Sequence, residues 1–373
     1  MSGTNTSFKR IVVKLGTSIL TGGQKHLSPR RMLEIVQQIA YLHESGYEVV
    51  IVSSGAMAAG RGLIGDLELH PYIPAKQMLS AMGQPRIMHI YSDLFAIYNI
   101  HVAQVLLTRS DLSHRQRYLN SRDTLDALIM HGIVPIINEN DTIATEEIRL
   151  GDNDNLSAHV ANLIDADLLV LLTDQPGLFD HDPRTTPEAR LIPKVEEIND
   201  AVFDLAGGAG SQQGTGGMVT KLQAAQLATR SGTTVVIAPG AKPNVLIDLV
   251  GSQSDQIGTW FQPTASHLES FRRWILSEKT QGTIRIDEGA VKTLRKKKVS
   301  LLPIGVTHVQ GEFERGVIIS ITGPNGEEIA RGLTDYSASA LREIAGKHSQ
   351  VIEETLGYTY GDQVMRRDRL VLV

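Results

Sequence analysis

Between Arg10 and Ala238 the chain alternates short runs rich in Val and Ile with stretches whose apolar residues recur at helical spacing. The runs are Arg10–Lys14, Glu48–Val52, Val102–Leu107, Ile133–Ile137, Leu168–Leu172 and Thr234–Ala238. Several are apolar without interruption, as strands covered on both faces must be. After the first run, Ser28–Pro29 precedes Met32, Ile35, Val36, Ile39 and Leu42. That is an N-cap, a proline at the first helical position and one apolar stripe. Strand and helix alternating in this way read as an α/β fold: an open, mostly parallel sheet with helices on both faces.

The pattern changes after Trp260. Gln262–Ser270 has no clear period and reads as a connector; Ser270–Ser277 fits a short helix or a strand. From Gly282 onward the runs are brief and punctuated by glycine: Thr283–Ile286, Ser300–Leu302, Val317–Ile321 and Glu328–Arg331. They predict a small β-rich barrel or sandwich with one helix near Ser337–Ala345. The expected division is a first domain over 1–262, a linker over 263–280, and a second domain with its tail over 281–373.

Composition removes several classes of function. The chain has no cysteine, which excludes a disulfide scaffold, a thiolate-bound metal and a thiol nucleophile. Lys and Arg number 36 against 41 Asp and Glu, a net charge of −5, which argues against a charge-driven nucleic-acid binder. No apolar stretch approaches the roughly 18 residues of a membrane helix, and Met1–Lys14 lacks a signal-peptide pattern. The expectation is a cytoplasmic protein with no membrane partner.

Ligands of open parallel sheets bind at the carboxyl ends of the strands. The first strand is followed by Lys14-Leu15-Gly16-Thr17-Ser18 and the second by Ser53-Ser54-Gly55-Ala56. The fourth is followed by Asn138-Glu139-Asn140-Asp141 and the fifth by Thr173-Asp174. Four strand ends thus deliver small, polar or charged groups to one edge, and a binding cleft is the simplest account. Gly16 and Gly55 let the backbone approach a ligand. Gly214–Lys221 places glycines, hydroxyls and a lysine ahead of a helical pattern, an arrangement that offers N–H donors, a helix dipole and a cation to a polyphosphate. The chain contains no Walker A loop, and no Gly-x-Gly-x-x-Gly follows its first strand, so a nicotinamide cofactor is disfavoured.

Gly151–Ala158 gathers carboxylates and amides at a predicted helix start. It fails as a calcium loop, because Leu156, Ser157 and Leu163 stand where a ligand, a glycine and a glutamate are needed. Asp154 or Asn155 can cap the helix, and the amides and carboxylates can hold the ammonium and carboxylate of a small zwitterion. The 12 histidines show no ligand spacing, so no structural metal is expected.

Taken together, Val13–Ser18, Ser53–Gly60, Asn138–Asp141, Gly151–Asp154, Leu172–Asp174 and Gly214–Lys221 closely resemble the amino acid kinase family, and within it the members that phosphorylate glutamate. The resemblance runs in order over about 8–260, with small departures at Met57 and Leu150. The stretch over about 281–360, with Ser300–Pro303 and Phe313–Gly316, looks like the PUA domain that many bacterial members carry. The resemblance implies the amino acid kinase fold and transfer of the ATP γ-phosphoryl group to the γ-carboxylate of L-glutamate, the first step of proline synthesis. A carboxylate is already ionised at neutral pH, so no general base is required. Lys14 and Lys221 would neutralise the phosphoryl oxygens and Asp174 would orient the lysines or the nucleotide. Ser54, Asp141 and Asn153 would hold glutamate. Lys14, Gly16, Thr173, Asp174, Thr215, Gly216, Gly217, Met218, Val219, Thr220 and Lys221 would contact ATP. Mg²⁺ would ride on the ATP phosphates, because no dedicated cage is evident. The resemblance also implies homo-oligomers and feedback inhibition by proline. Lys221 and Asn153 are expected to lie outside the core, so that replacing either leaves thermal stability nearly unchanged.

Two other readings compete. Other members of the family act on aspartate, acetylglutamate, carbamate or UMP; the Gly151–Ala158 run and the C-terminal domain favour glutamate. PUA domains often bind RNA, but residues 281–373 hold 13 basic and 12 acidic residues, which gives RNA binding no electrostatic support. The basic run Arg295–Lys298 reads as a solvated helix end.

Overall fold

A computed structural model describes residues 8–65, 72–143, 153–207, 217–251, 256–296 and 299–373. The chain divides into two compact units, Met1–His267 and Leu268–Val373.

The first unit is built on strands β1 (Arg10–Leu15), β2 (Glu48–Ser53), β3 (Val102–Leu107), β4 (Val134–Glu139), β5 (Leu168–Thr173), β6 (Lys194–Val195), β7 (Thr234–Pro239) and β8 (Thr259–Phe261). They form one sheet in the order β3-β4-β2-β1-β5-β7-β8-β6. Every neighbouring pair is parallel except β7 with β8. The helices are α1 (Thr17–Thr21), α2 (Pro29–Glu44), α3 (Ala56–Ile64), α4 (Ile73–Ala96), α5 (Arg109–Ser113), α6 (Arg115–Met130), α7 (Asn153–Leu163), α8 (Asp200–Leu205), α9 (Met218–Ser231) and α10 (Val245–Val250).

The central strands are buried on both faces, which is why their sequences read as unbroken apolar runs. Ile11, Val13 and Leu15 of β1 join a core with α2, α4 and α10, whereas Val12 joins the opposite core with α6, α7 and α9. This period-2 alternation assigns Lys14 to the α7–α9 face. Leu15 is fully buried, and its truncation to alanine would cost about 2–5 kcal/mol. α2 begins as its sequence suggests: the Ser28 hydroxyl accepts from the Arg31 N–H at 3.4 Å, and Pro29 occupies the first turn.

The order of the strands creates the cleft. From β1 the chain moves to β2 on one side, and later returns to β5 on the other. The crossover helix α7 packs across β4, β2, β1 and β5. Its N-terminus therefore lies at the carboxyl edge of the sheet, where the direction of winding reverses.

A helix over Ile73–Ala96 is not legible in the sequence, where Gly83 and Pro85 break the helical pattern. It forms because α3 and α4 approach closely. A Cβ on Gly60 would meet the Leu79 carbonyl oxygen at 2.0 Å, and one on Gly83 would meet that of Ala56 at 1.8 Å.

The second unit carries the helix α11 (His267–Ser277, starting at its boundary), strand β9 (Thr283–Ile286), helix α12 (Glu288–Lys296), strands β10 (Val306–Gln310), β11 (Ile318–Thr322) and β12 (Glu328–Leu333), helix α13 (Ala338–Ile344), helix α14 (Ile352–Leu356) and strand β13 (Leu370–Leu372). The sheet order is β10-β9-β11-β12-β13, with β9 and β11 parallel and the rest antiparallel. The stretch left open at 270–277 is helical. Ser300–Leu302 contributes one isolated bridge, Leu301 to Met365, rather than a strand. β10 escapes the sequence pattern because its pairing with β9 shifts register between Val306 and His308, which interrupts the apolar alternation.

Candidate active site

At the carboxyl edge of β1 the Lys14 ammonium lies 2.6 Å from Oδ1 of Asp154, and the Lys221 ammonium lies 3.2 Å from Oδ2. Thr220 donates to the same Oδ2 at 2.7 Å. The side chain of Asp154 thus joins β1 to the first turns of α7 and α9. Lys14, Asp154 and Lys221 are 6%, 1% and 5% exposed. Burial pushes the Asp154 carboxyl up, but the Lys14 and Lys221 charges and the bonds from Lys14 and Thr220 outweigh it, so its pKa is lowered. Two ammonium groups share one carboxylate, a formal charge of +1 in a buried setting. Gly16 lies beside them: a Cβ there would sit 3.6 Å from Lys14 Nζ.

A second cluster lies beside the first, because Asn153 precedes Asp154 on α7. Asn153 Nδ2 donates to Ser54 Oγ at 2.9 Å and to Asn138 Oδ1 at 3.0 Å. Asn153 Oδ1 is buried and has no hydrogen-bond partner among the described residues. Asp141 is alike: Oδ2 accepts from Ser80 Oγ at 2.8 Å, while Oδ1 is buried without a partner among the described residues. Burial raises the Asp141 pKa, opposed by the Ser80 bond. Buried acceptors without donors are rare and costly, so both oxygens fit a cationic group of a ligand. The Ser54 hydroxyl, already accepting from Asn153, keeps its proton to donate to a carboxylate.

The carboxylate that meets the two lysines is not Asp174. Asp174 is exposed and accepts from Thr173 Oγ1 at 3.0 Å; the carboxylate between the lysines is Asp154. The signal for Asp154 was present in the Gly151–Ala158 run, where helix capping also explained it. Asp174 instead lines a cavity of about 550 Å³ with Ser18, Ile19, Gly240 and Lys242. Gly217 caps α9, and Met218, Val219 and Thr220 form its first turn. Thr215 and Gly216 lie outside the described residues, as do Gly151 and Asp152. The expectation that Lys221 and Asn153 lie outside the core is wrong, since both are buried. Sequence reasoning also missed two α4 residues in contact with this cluster, Ser80 on Asp141 and Gln84, whose Oε1 accepts from Asn138 Nδ2, because it missed α4.

Residues 9–239 match the model of the amino acid kinase family. The chain belongs to that family. A further match, to the PUA domain, covers residues 282–356 of this kinase-family chain. The similarity extends over nearly the whole length. Glutamate 5-kinase of Sodalis glossinidius is 51% identical over 98% of this chain and 99% of its own. That of Shewanella amazonensis is 52% identical over 100% and 98%, and that of Deinococcus radiodurans 49% identical over 98% and 100%. Among the described residues of this family member, no helix is long and apolar enough to cross a membrane.

Proposed function

We propose that this kinase transfers the γ-phosphoryl group of ATP to the γ-carboxylate of L-glutamate, giving glutamate 5-phosphate and ADP. The observation that carries the reading is a pair of buried acceptors without a hydrogen-bond partner among the described residues, Asp141 Oδ1 and Asn153 Oδ1, the second on the residue that precedes Asp154, the bridge between two lysines. The acceptors suit the ammonium of an amino acid, and the lysines suit the phosphoryl oxygens. The name borne by the full-length relatives supports glutamate as that amino acid.

In the proposed transfer, an ionised γ-carboxylate oxygen forms a bond to the γ-phosphorus as the bond to the bridging oxygen breaks. ADP departs with the electron pair. No proton moves, which agrees with a site that needs no base. The task of the protein is to place and stabilise charge. Lys14 and Lys221 would meet the equatorial oxygens, Asp154 would hold both lysines, and Ser54 would donate to a carboxylate of glutamate. The remaining nucleotide contacts are assigned to Gly16, Thr173, Asp174 and the stretch Thr215–Thr220. Among the described residues, no group of three or more His, Cys, Asp or Glu could hold a metal ion, and Asp154 is already engaged by two cations. A resident metal cage does not fit these residues. Mg²⁺ is assigned to the nucleotide.

Proline carries a similar ammonium and carboxylate and would compete for the same oxygens, so saturating glutamate should overcome its inhibition. The decisive experiment incubates the protein with ATP, glutamate and hydroxylamine, which traps an acyl phosphate as hydroxamate. The reading requires hydroxamate that depends on both substrates. Turnover of aspartate, acetylglutamate, carbamate or UMP in place of glutamate would transfer the chain to another branch of the family.

A further inference from the structure

Behind the two acceptor side chains stands one face of α4. Ser80 and Gln84 are four residues apart, so their Cβ atoms lie on the same helical face about one turn apart. Ser80 holds Asp141 Oδ2. Gln84 Oε1 accepts from Asn138 Nδ2 at 2.9 Å, and Asn138 Oδ1 in turn accepts from Asn153.

The direction of this relay is fixed by a backbone group. The Glu139 N–H faces a terminal atom of Asn138 at 2.9 Å, and a backbone N–H can only donate. That atom is therefore the amide oxygen. The Asn138 amide nitrogen must then face Gln84, which must present its oxygen. The Asn153 atom facing Asn138 must be nitrogen. The remaining atom of Asn153, aimed away from this network, must be oxygen. One N–H thus sets the polarity of three amides and leaves Asn153 with an acceptor to offer.

We propose that Ser80 and Gln84 are the positioning residues of the amino-acid subsite. From α4 they hold Asp141 and Asn153 so that one acceptor oxygen of each faces the substrate ammonium. The proposal rests on the reading of the protein as a glutamate-phosphorylating kinase. The close α3–α4 contact at Gly60 and Gly83 supports it, since it fixes the helix from which Ser80 reaches Asp141 and Gln84 reaches Asn138.

The test compares glutamate with glutarate, which has both carboxylates and no ammonium. Wild type, Ser80→Ala, Gln84→Leu and Gln84→Glu are assayed for the glutamate KM and kcat and for competitive inhibition by glutarate. Gln84→Leu and Ser80→Ala should each raise the glutamate KM about tenfold, the scale of one hydrogen bond to a charged group. They should leave kcat within roughly threefold and the glutarate inhibition constant nearly unchanged. Gln84→Glu keeps an oxygen facing Asn138 and should restore the preference for glutamate. A merely structural defect would weaken both ligands together, and that result overturns the proposal, as does an unchanged glutamate KM in both Ser80→Ala and Gln84→Leu. A wild-type protein that forms no hydroxamate from glutamate overturns the functional reading and this one with it.

Discussion

Lys14 Nζ and Asp154 Oδ1 lie 2.6 Å apart, although β1 and α7 are separated by about half of the kinase unit in sequence. Asp154 also receives Lys221, so a single carboxylate fixes the separation of two cations drawn from opposite ends of that unit. Without it, two buried ammonium groups would repel each other in a medium that screens poorly.

Asp154→Asn should therefore damage stability and activity together. Removing one partner of a buried ion pair typically costs about 3–5 kcal/mol. Loss of oriented charge should lower kcat by about 10²–10³. Thermal melts and steady-state kinetics at saturating ATP check both; a variant that melts with the wild type shows that the lysines are held by other means. The lowered pKa gives the sign of the pH effect. The stabilisation by Asp154 is complete above the ordinary carboxylate range and is lost as pH falls through its depressed folded value.

Lys221→Ala and Asn153→Ala should fail in different ways. Lys221 would meet charge that develops during transfer, so kcat should fall by about 10²–10³. Asn153 would bind a part of glutamate that does not react, so the glutamate KM should rise while kcat changes less. Both side chains are buried, so both variants should also melt measurably below wild type. Varying glutamate at saturating ATP separates the two effects, and a near-normal kcat in Lys221→Ala would remove its phosphate role.

The raised pKa of Asp141 predicts an acid limb in kcat/KM for glutamate. Its carboxyl stays neutral to a higher pH than an ordinary aspartate, and a neutral carboxyl binds an ammonium weakly. As pH falls through that raised value, kcat/KM should drop with kcat less affected. The stability effect has the opposite sign to that of Asp154: the penalty for burying ionised Asp141 is relieved as pH falls through its folded pKa. Asp141→Asn should abolish this limb; a pH profile identical to wild type would show that another group titrates.

Gly83→Ala tests the α3–α4 contact. The new Cβ would meet the Ala56 carbonyl oxygen at 1.8 Å, which forces the helices apart. Overpacking of this kind costs about 1–3 kcal/mol. Because Ser80 and Gln84 ride on α4, the glutamate KM should rise as well. Wild-type melting together with wild-type KM would mean that the contact absorbs the methyl group and that its closeness does not position either residue.

A fragment ending at His267 should retain kinase activity, because every proposed site residue precedes Leu222. A cooperatively folding but inactive fragment would assign the second unit a part in the site.

Sequence alone determined the alternation of buried strands and helices, since a strand covered on both faces must be apolar throughout and an amphipathic helix must repeat near 3.6 residues. It also marked the strand ends that carry Lys14, Ser54, Asn138 and Asp174, because polar residues closing an apolar run stand out. Tertiary structure decided which of these groups meet. Asp154 and Asp174 are equally visible as carboxylates, and only the crossover of α7 over β1 brings Asp154 between the lysines. α4 was invisible because Gly83 and Pro85 argue locally against a helix, while the close packing that requires Gly83 is a contact with a distant segment. Ser80 and Gln84 were hidden with it. Local pattern reports which face of an element is buried; which side chains share a proton or a charge depends on chain crossings that no short-range period encodes.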